Sequence, residues 1–245
     1  EKLVAQAQKV QELPLGYEKY KATQELAEVI SREIPRTFAA KAGDWILELA
    51  NLPRAYMASF FDFSFGLRQG IVALARHPKD FARAFKSQFK PFLSEKNYEL
   101  LMDSVMKDPN FGWAAEAKVA FTDINAKLGL REERYMSSLA ERIPIFGSPV
   151  RATNRAYSAM ANKLRMDTFS TLLKSAEDLG LNPRNNEELL RSIGNLVNDM
   201  TGRGSFKQLT GERVGHALEM AAPVLNAFFF SPRLNVSRLN ILIPA

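Results

Sequence analysis

One stretch, from Pro149 to Leu179, has no glycine and no proline after its first residue, and it constrains the fold more than any other feature of this sequence. Ser148 suits the N-cap of a helix, Pro149 suits its first position, and Gly180 suits its end. At about 1.5 Å per residue, such a helix is about 46 Å long. We therefore expect a bundle or a rod built around one long helix, and an extended, oligomeric arrangement is compatible with it.

Helical patterns also dominate the rest of the chain. Apolar residues recur at three and four positions in the segments 3–13, 17–34 and 187–200, and proline or glycine follows each of them. The sequence shows no strand-like alternation joined by hairpin turns and no internal repeat. It therefore predicts an all-α, multi-helix bundle.

Two predicted helix ends depend on single residues. The pattern from Trp113 to Leu128 is typical of one helix that closes at Gly129. The pattern that begins at Lys79 is expected to end at Lys90, because Pro91 disfavours the helical conformation of the residue before it.

Composition indicates a folded chain with its own apolar core. Of its 245 residues, 46% are apolar and 24% are charged. A boundary near 129–147 would divide the chain into halves at 1–130 and 131–245, and one continuous domain fits the pattern equally well.

The sequence contains no run of about 18 apolar residues, so it predicts no transmembrane helix. The start at Glu1 and the apolar end indicate a piece of a longer protein.

Few residues point to catalysis, to a metal or to a cofactor. The chain has no cysteine, and its two histidines, His77 and His216, are far apart and lack metal-ligand spacing. No nucleophile motif or suggestive pair of carboxylates is present. We therefore expect no enzyme activity in this segment, no metal site and no cofactor.

Two motifs have structural interpretations that we prefer. Gly202-Arg203-Gly204 lacks the spacing of a phosphate-binding loop and predicts a helix C-cap followed by a turn that exposes Arg203. Asp62 lies among four aromatic residues, and a buried ion pair with Arg68 is favoured there over a catalytic carboxylate.

Basic residues are the strongest candidates for contact with a partner. The formal net charge is +6, and the segment 79–92 carries an aromatic stripe opposite a basic one. The basic stripe can be a solvated face, a contact for DNA phosphates or a contact for an anionic membrane, and the first interpretation is favoured by the residues alone. The candidate contacts are Lys79, Arg83, Lys86, Lys90, Arg151, Arg155, Lys163, Arg165, Arg203, Arg233 and Arg238.

Four segments together carry a family resemblance. They are Asp62–Gly70 with His77-Pro78, Ile143-Pro144 through Arg155-Ala156-Tyr157 to Asn162-Lys163-Leu164-Arg165, Thr201–Gly204, and Ser231–Leu239. In combination they resemble a C-terminal region of the large polyvalent proteins of phages and mobile elements, and of the internal virion proteins of short-tailed phages. The resemblance spans about residues 55–240.

This resemblance implies a non-enzymatic helical module of a phage internal or ejection protein. Such a module would lie inside the capsid near the portal and assemble with copies of itself and other virion proteins. It would contact double-stranded DNA without reading its sequence, and it would enter the host envelope or cytoplasm on infection. The alternative is a non-catalytic accessory domain of a large phage enzyme, such as a virion RNA polymerase or a peptidoglycan hydrolase, or of an intracellular polyvalent DNA-associated protein.

Overall fold

The computed structural model describes residues 2–33, 70–122, 147–211 and 232–242. Within these ranges 80% of the residues are helical and none lies in a strand. The predicted all-α class is therefore confirmed.

The helices of the described residues are numbered in chain order. They are α1 (Lys2–Glu12), α2 (Tyr17–Glu33), α3 (Ile71–Arg76), α4 (Pro78–Ser87), α5 (Phe89–Leu93), α6 (Glu95–Met106), α7 (Phe111–Glu116), α8 (Gly147–Asp178), a 3₁₀ turn (Pro183–Asn185), α9 (Glu187–Met200), α10 (Phe206–Thr210) and α11 (Pro232–Leu242).

Helix α8 is the predicted long helix and forms the spine of the fold. It has 32 residues, begins at Gly147 and ends at Asp178, and Gly180 then adopts a left-handed conformation with φ +79°. Helices α4, α5 and α6 pack against it, as do α7 and α9. Its residues are buried on most sides, which is why the segment lacks a clear polar face.

The break between α4 and α5 lies earlier than the sequence predicts. Helix α4 ends at Ser87 rather than at Lys90, and Pro91 lies inside α5 as a buried residue. Proline has no N–H, and its ring clashes with the carbonyl four residues earlier, which here belongs to Ser87. The interruption therefore falls one turn before the proline.

The predicted helix 113–128 is wrong between residues 117 and 122. Helix α7 ends at Glu116, Lys118 adopts φ +60°, and residues 119–122 are not helical. Side chains from α8 and α9 bind the backbone of this segment, which removes it from any helix. The rest of that prediction, 123–128 with Gly129, lies outside the described residues.

Two apolar clusters join helices from both sides of residue 130. One contains Phe111, Phe169 and Val197 from α7, α8 and α9, and the rings of Tyr17 and Tyr20 on α2 pack against Phe111. The other contains Phe81 from α4 with residues of α8 and Met200 from α9. The division into 1–130 and 131–245 stays a prediction.

Candidate nucleic-acid interface

Burial and ion pairing together distinguish the predicted basic contacts from one another. Lys79, Lys86 and Lys90 are exposed on α4 and α5. Within the described ranges, no carboxylate lies within 4.0 Å of their ammonium groups. Their charges therefore face solvent and are available to a polyanion. We call these three residues the basic surface.

Arg83 lies between these lysines in sequence but belongs to an ion-pair network. Its Nε lies 3.4 Å from Asp167 Oδ2 on α8, and its guanidinium also contacts Asp80 on α4. Lys163 pairs with the same Asp167. Both aspartates are largely buried. The network therefore connects α4 to α8, and its carboxylates neutralise the charges of Arg83 and Lys163.

Arg155 on α8 is also directed into the protein. Its Nε donates to the carbonyl of Pro91 at 3.2 Å, and its Nη2 donates to the carbonyl of Phe92 at 3.4 Å. These carbonyls lie at the C-terminal end of α5, where a cation is favourable for the unsatisfied acceptors. Arg155 thus holds α5 against the spine.

Arg165 is fully buried and binds the extended segment after α7. Its Nη1 donates to the carbonyl of Ala120 at 2.7 Å and to Thr122 Oγ1 at 3.0 Å, and its Nε donates to Thr201 Oγ1 at 3.1 Å. The guanidinium therefore connects α8, the segment 118–122 and the end of α9. A role in contacting DNA is incompatible with this burial.

Two asparagines bind the same segment through its backbone. Asn162 on α8 accepts from Thr122 N at 2.7 Å and donates to Thr122 O at 2.8 Å. Asn198 on α9 accepts from Ala120 N at 2.8 Å and donates to Lys118 O at 3.0 Å. Each side-chain amide thus replaces the partner that a neighbouring strand would supply. Asn162, Arg165 and Thr201 are buried and Asn198 is half-buried, and we call these four residues the polar clamp.

The turn after α9 confirms the predicted C-cap. Gly202 has φ +77°, its N–H donates to Asp199 O at 3.3 Å, and Arg203 N donates to Asn198 O at 2.7 Å. These two bonds define a Schellman motif. Gly204 then passes so close to α11 that a Cβ atom would lie 2.4 Å from Ser237 N.

The predicted exposure of Arg203 is wrong. The residue is only 9% exposed, and it lines a cavity together with residues of α2 and of the segment 118–121. Arg151 and Arg238 are exposed, and Arg233 lies in α11 with a side chain outside the description. The predicted pair Asp62–Arg68 and His216 lie outside the described residues.

The sequence interpretation missed the polar clamp. A signal for it is present, since Asn154, Ser158, Asn162 and Arg165 recur at spacings of four, four and three along α8, and all four are buried. A stripe of polar residues with helical spacing normally indicates a solvated face. Here two members of the stripe, Asn162 and Arg165, supply internal hydrogen bonds to the segment 118–122.

His77 lies beside the ion-pair network, with its Nδ1 3.8 Å from Asp80 Oδ2. The residues that the structure describes contain no group of three or more histidine, aspartate or glutamate side chains suited to a metal ion. None of the described helices is long and apolar enough to cross a membrane.

Comparison of the chain with protein families, curated proteins and solved structures found no match.

The burial of Arg165 predicts a large effect on stability. Arg165→Met removes a buried cation and leaves the carbonyl of Ala120 and Thr122 Oγ1 without that donor, so the free energy of unfolding should fall by about 3 kcal/mol or more. The matched control Lys86→Met, at an exposed cation, should change it by less than about 0.5 kcal/mol. Urea unfolding measures both, and equal stability of the two variants would contradict the assignment.

Proposed function

We propose that this chain is a non-catalytic structural module of a phage internal or ejection protein, and that its basic surface contacts DNA. The proposal rests on the hydrogen bonds that residues of the resembling segments make within the chain. Arg155, Asn162, Arg165 and Thr201 all bind other parts of the same chain.

The chemistry of these residues favours a structural role. A catalytic group needs access to a substrate in a cavity, whereas Asn162, Arg165 and Thr201 are 0% exposed. Gly202 forms a helix cap, and Gly204 permits a close approach between α11 and the chain after α9. In the described part of the resembling segments, these residues therefore make contacts within the fold, which supports a structural role.

The basic surface supports contact with DNA that is independent of sequence. Lys79 and Lys90 are eleven residues apart across the break at Gln88, which corresponds to at most about 16 Å. Duplex DNA carries about one negative charge per 1.7 Å of its axis, so several phosphates fall within this length. Ammonium groups on flexible side chains bind phosphates as point charges and read no bases.

A triple charge reversal tests the contact with DNA. Lys79→Glu, Lys86→Glu and Lys90→Glu together should weaken binding to a duplex of arbitrary sequence and reduce the slope of log K against log salt concentration by about three. Arg83 is left unchanged because a glutamate there would face Asp80 and Asp167. Fluorescence anisotropy over a salt series measures both quantities.

A second triple variant controls for overall charge. Lys9→Glu, Lys21→Glu and Lys174→Glu change exposed lysines on α1, α2 and α8 and bring the formal charge from +6 to zero, as the first triple does. We expect this control to retain most of the wild-type salt slope. If both triples lower the slope equally, net charge and not the basic surface is responsible.

The location in a virion has its own test. Mass spectrometry of purified, nuclease-treated virions of the source phage should detect peptides from residues 1–245 together with flanking sequence. Peptides found only in infected or donor cells would instead support the intracellular polyvalent protein and contradict the ejection module.

A further inference from the structure

A cavity of about 450 Å³ lies between α2, α6 and the chain from Phe111 to Thr122. A volume of this order suits a small organic ligand. The lining residues of α2 and of α6 recur at helical spacing, so each helix contributes one face to the cavity. No residue of the basic surface lines it, and its ligand is therefore a question separate from contact with DNA.

Aromatic rings in several planes line this cavity. Phe111 and Phe121 stack with their centroids 5.1 Å apart, and the ring of Tyr20 meets both of them at 86°. The ring of Tyr17 meets that of Phe111 at 61°. Rings that surround one space in different planes form an aromatic cage, an arrangement that binds organic cations. We call this cavity the aromatic cage.

The charges at the aromatic cage also favour a cation. Glu99 and Asp103, four residues apart on α6, both line it, and Lys21 of α2 is the only cation among its described lining residues. Lys21 lies 4.0 Å from Glu25, and Lys107 lies 2.7 Å from Asp103, so these charges are balanced by exposed neighbours. Within the described ranges, no cation lies within 4.0 Å of the Glu99 carboxylate, whose charge therefore remains for a ligand.

The lining selects a cation without N–H groups. A primary ammonium has three N–H donors, each of which needs an acceptor, whereas aromatic rings and the thioethers of Met102 and Met106 are weak acceptors. A quaternary ammonium has no N–H group to satisfy. Its methyl groups are removed from water against the rings and the sulfur atoms, and the rings attract its charge.

We propose that the aromatic cage binds a quaternary ammonium group such as that of choline. Tyr17, Tyr20 and Phe121 would contact its methyl groups, and Glu99 would offset its charge. The group can belong to a soluble compound or to the headgroup of a phosphatidylcholine lipid, because both present the same chemistry to the cage.

Titration of the isotope-labelled chain with choline, followed by NMR, tests the proposal. Amide signals of residues that line the cage should shift to saturation with one common dissociation constant, about millimolar or lower. The neutral isostere of choline, in which a carbon atom replaces the nitrogen, has the same shape and no charge. It should bind at least about tenfold more weakly.

A pair of matched variants on α6 tests the role of charge. Glu99→Gln keeps the size of the side chain and should lower the affinity for choline by about three- to tenfold. Glu95→Gln changes an exposed carboxylate one turn earlier that does not line the cage, and it should leave the affinity within about twofold. Both side chains are exposed, so both variants should keep the thermal unfolding midpoint of the wild type.

Three results would overturn the proposal. They are no saturable binding of choline by the wild type, equal affinity for choline and its neutral isostere, and equal loss in Glu99→Gln and Glu95→Gln. The triple lysine variant of the basic surface should bind choline as the wild type does, whatever its affinity for DNA.

Flotation with phosphatidylcholine vesicles distinguishes the two sources of the ligand. Vesicle binding that Glu99→Gln weakens and Glu95→Gln preserves would assign the lipid headgroup. Saturable binding of choline without vesicle binding would assign a soluble compound.

Discussion

The described fold depends on a buried cation and two side-chain amides that hold a short non-helical segment between helices. Arg165, Asn162 and Asn198 bind the backbone of residues 118–122. Removing a guanidinium from water costs several kcal/mol, which only well-placed acceptors offset. The clamp therefore stabilises one arrangement of α7, α8 and α9, because slipping any of them would leave buried polar groups unsatisfied.

This arrangement divides the basic residues of the chain between two tasks. Arg155, Arg165 and Arg203 lie against or inside the fold, and Arg83 and Lys163 are compensated by carboxylates that join α4 to α8. The basic surface on α4 and α5 faces solvent. A net charge of +6 thus gives little guidance by itself, and the position of each cation determines which partner it can reach.

Local signals predicted much of the architecture, and long-range contacts account for the errors. The long helix was found because its start, its uninterrupted length and its terminal glycine are all local features of the sequence. The end of α7 was missed because its determinants, Asn162 and Asn198, lie at least 40 residues away from the segment that they bind. Likewise, the local motif around Arg203 predicts an exposed turn, whereas the residue is 9% exposed and the neighbouring Gly204 lies against Ser237 of α11, 33 residues later in the chain.

Hydrogen exchange at Ala120 and Thr122 tests the central claim most directly. Both amides lie outside any helix, yet they donate to Asn198 Oδ1 at 2.8 Å and to Asn162 Oδ1 at 2.7 Å. Because those acceptors belong to the polar clamp, which opens only when α8 or α9 moves, the two amides should exchange as slowly as the core amides of α8, and Asn162→Ala should accelerate exchange at Thr122. Exchange at both positions as fast as in an open loop would contradict the account.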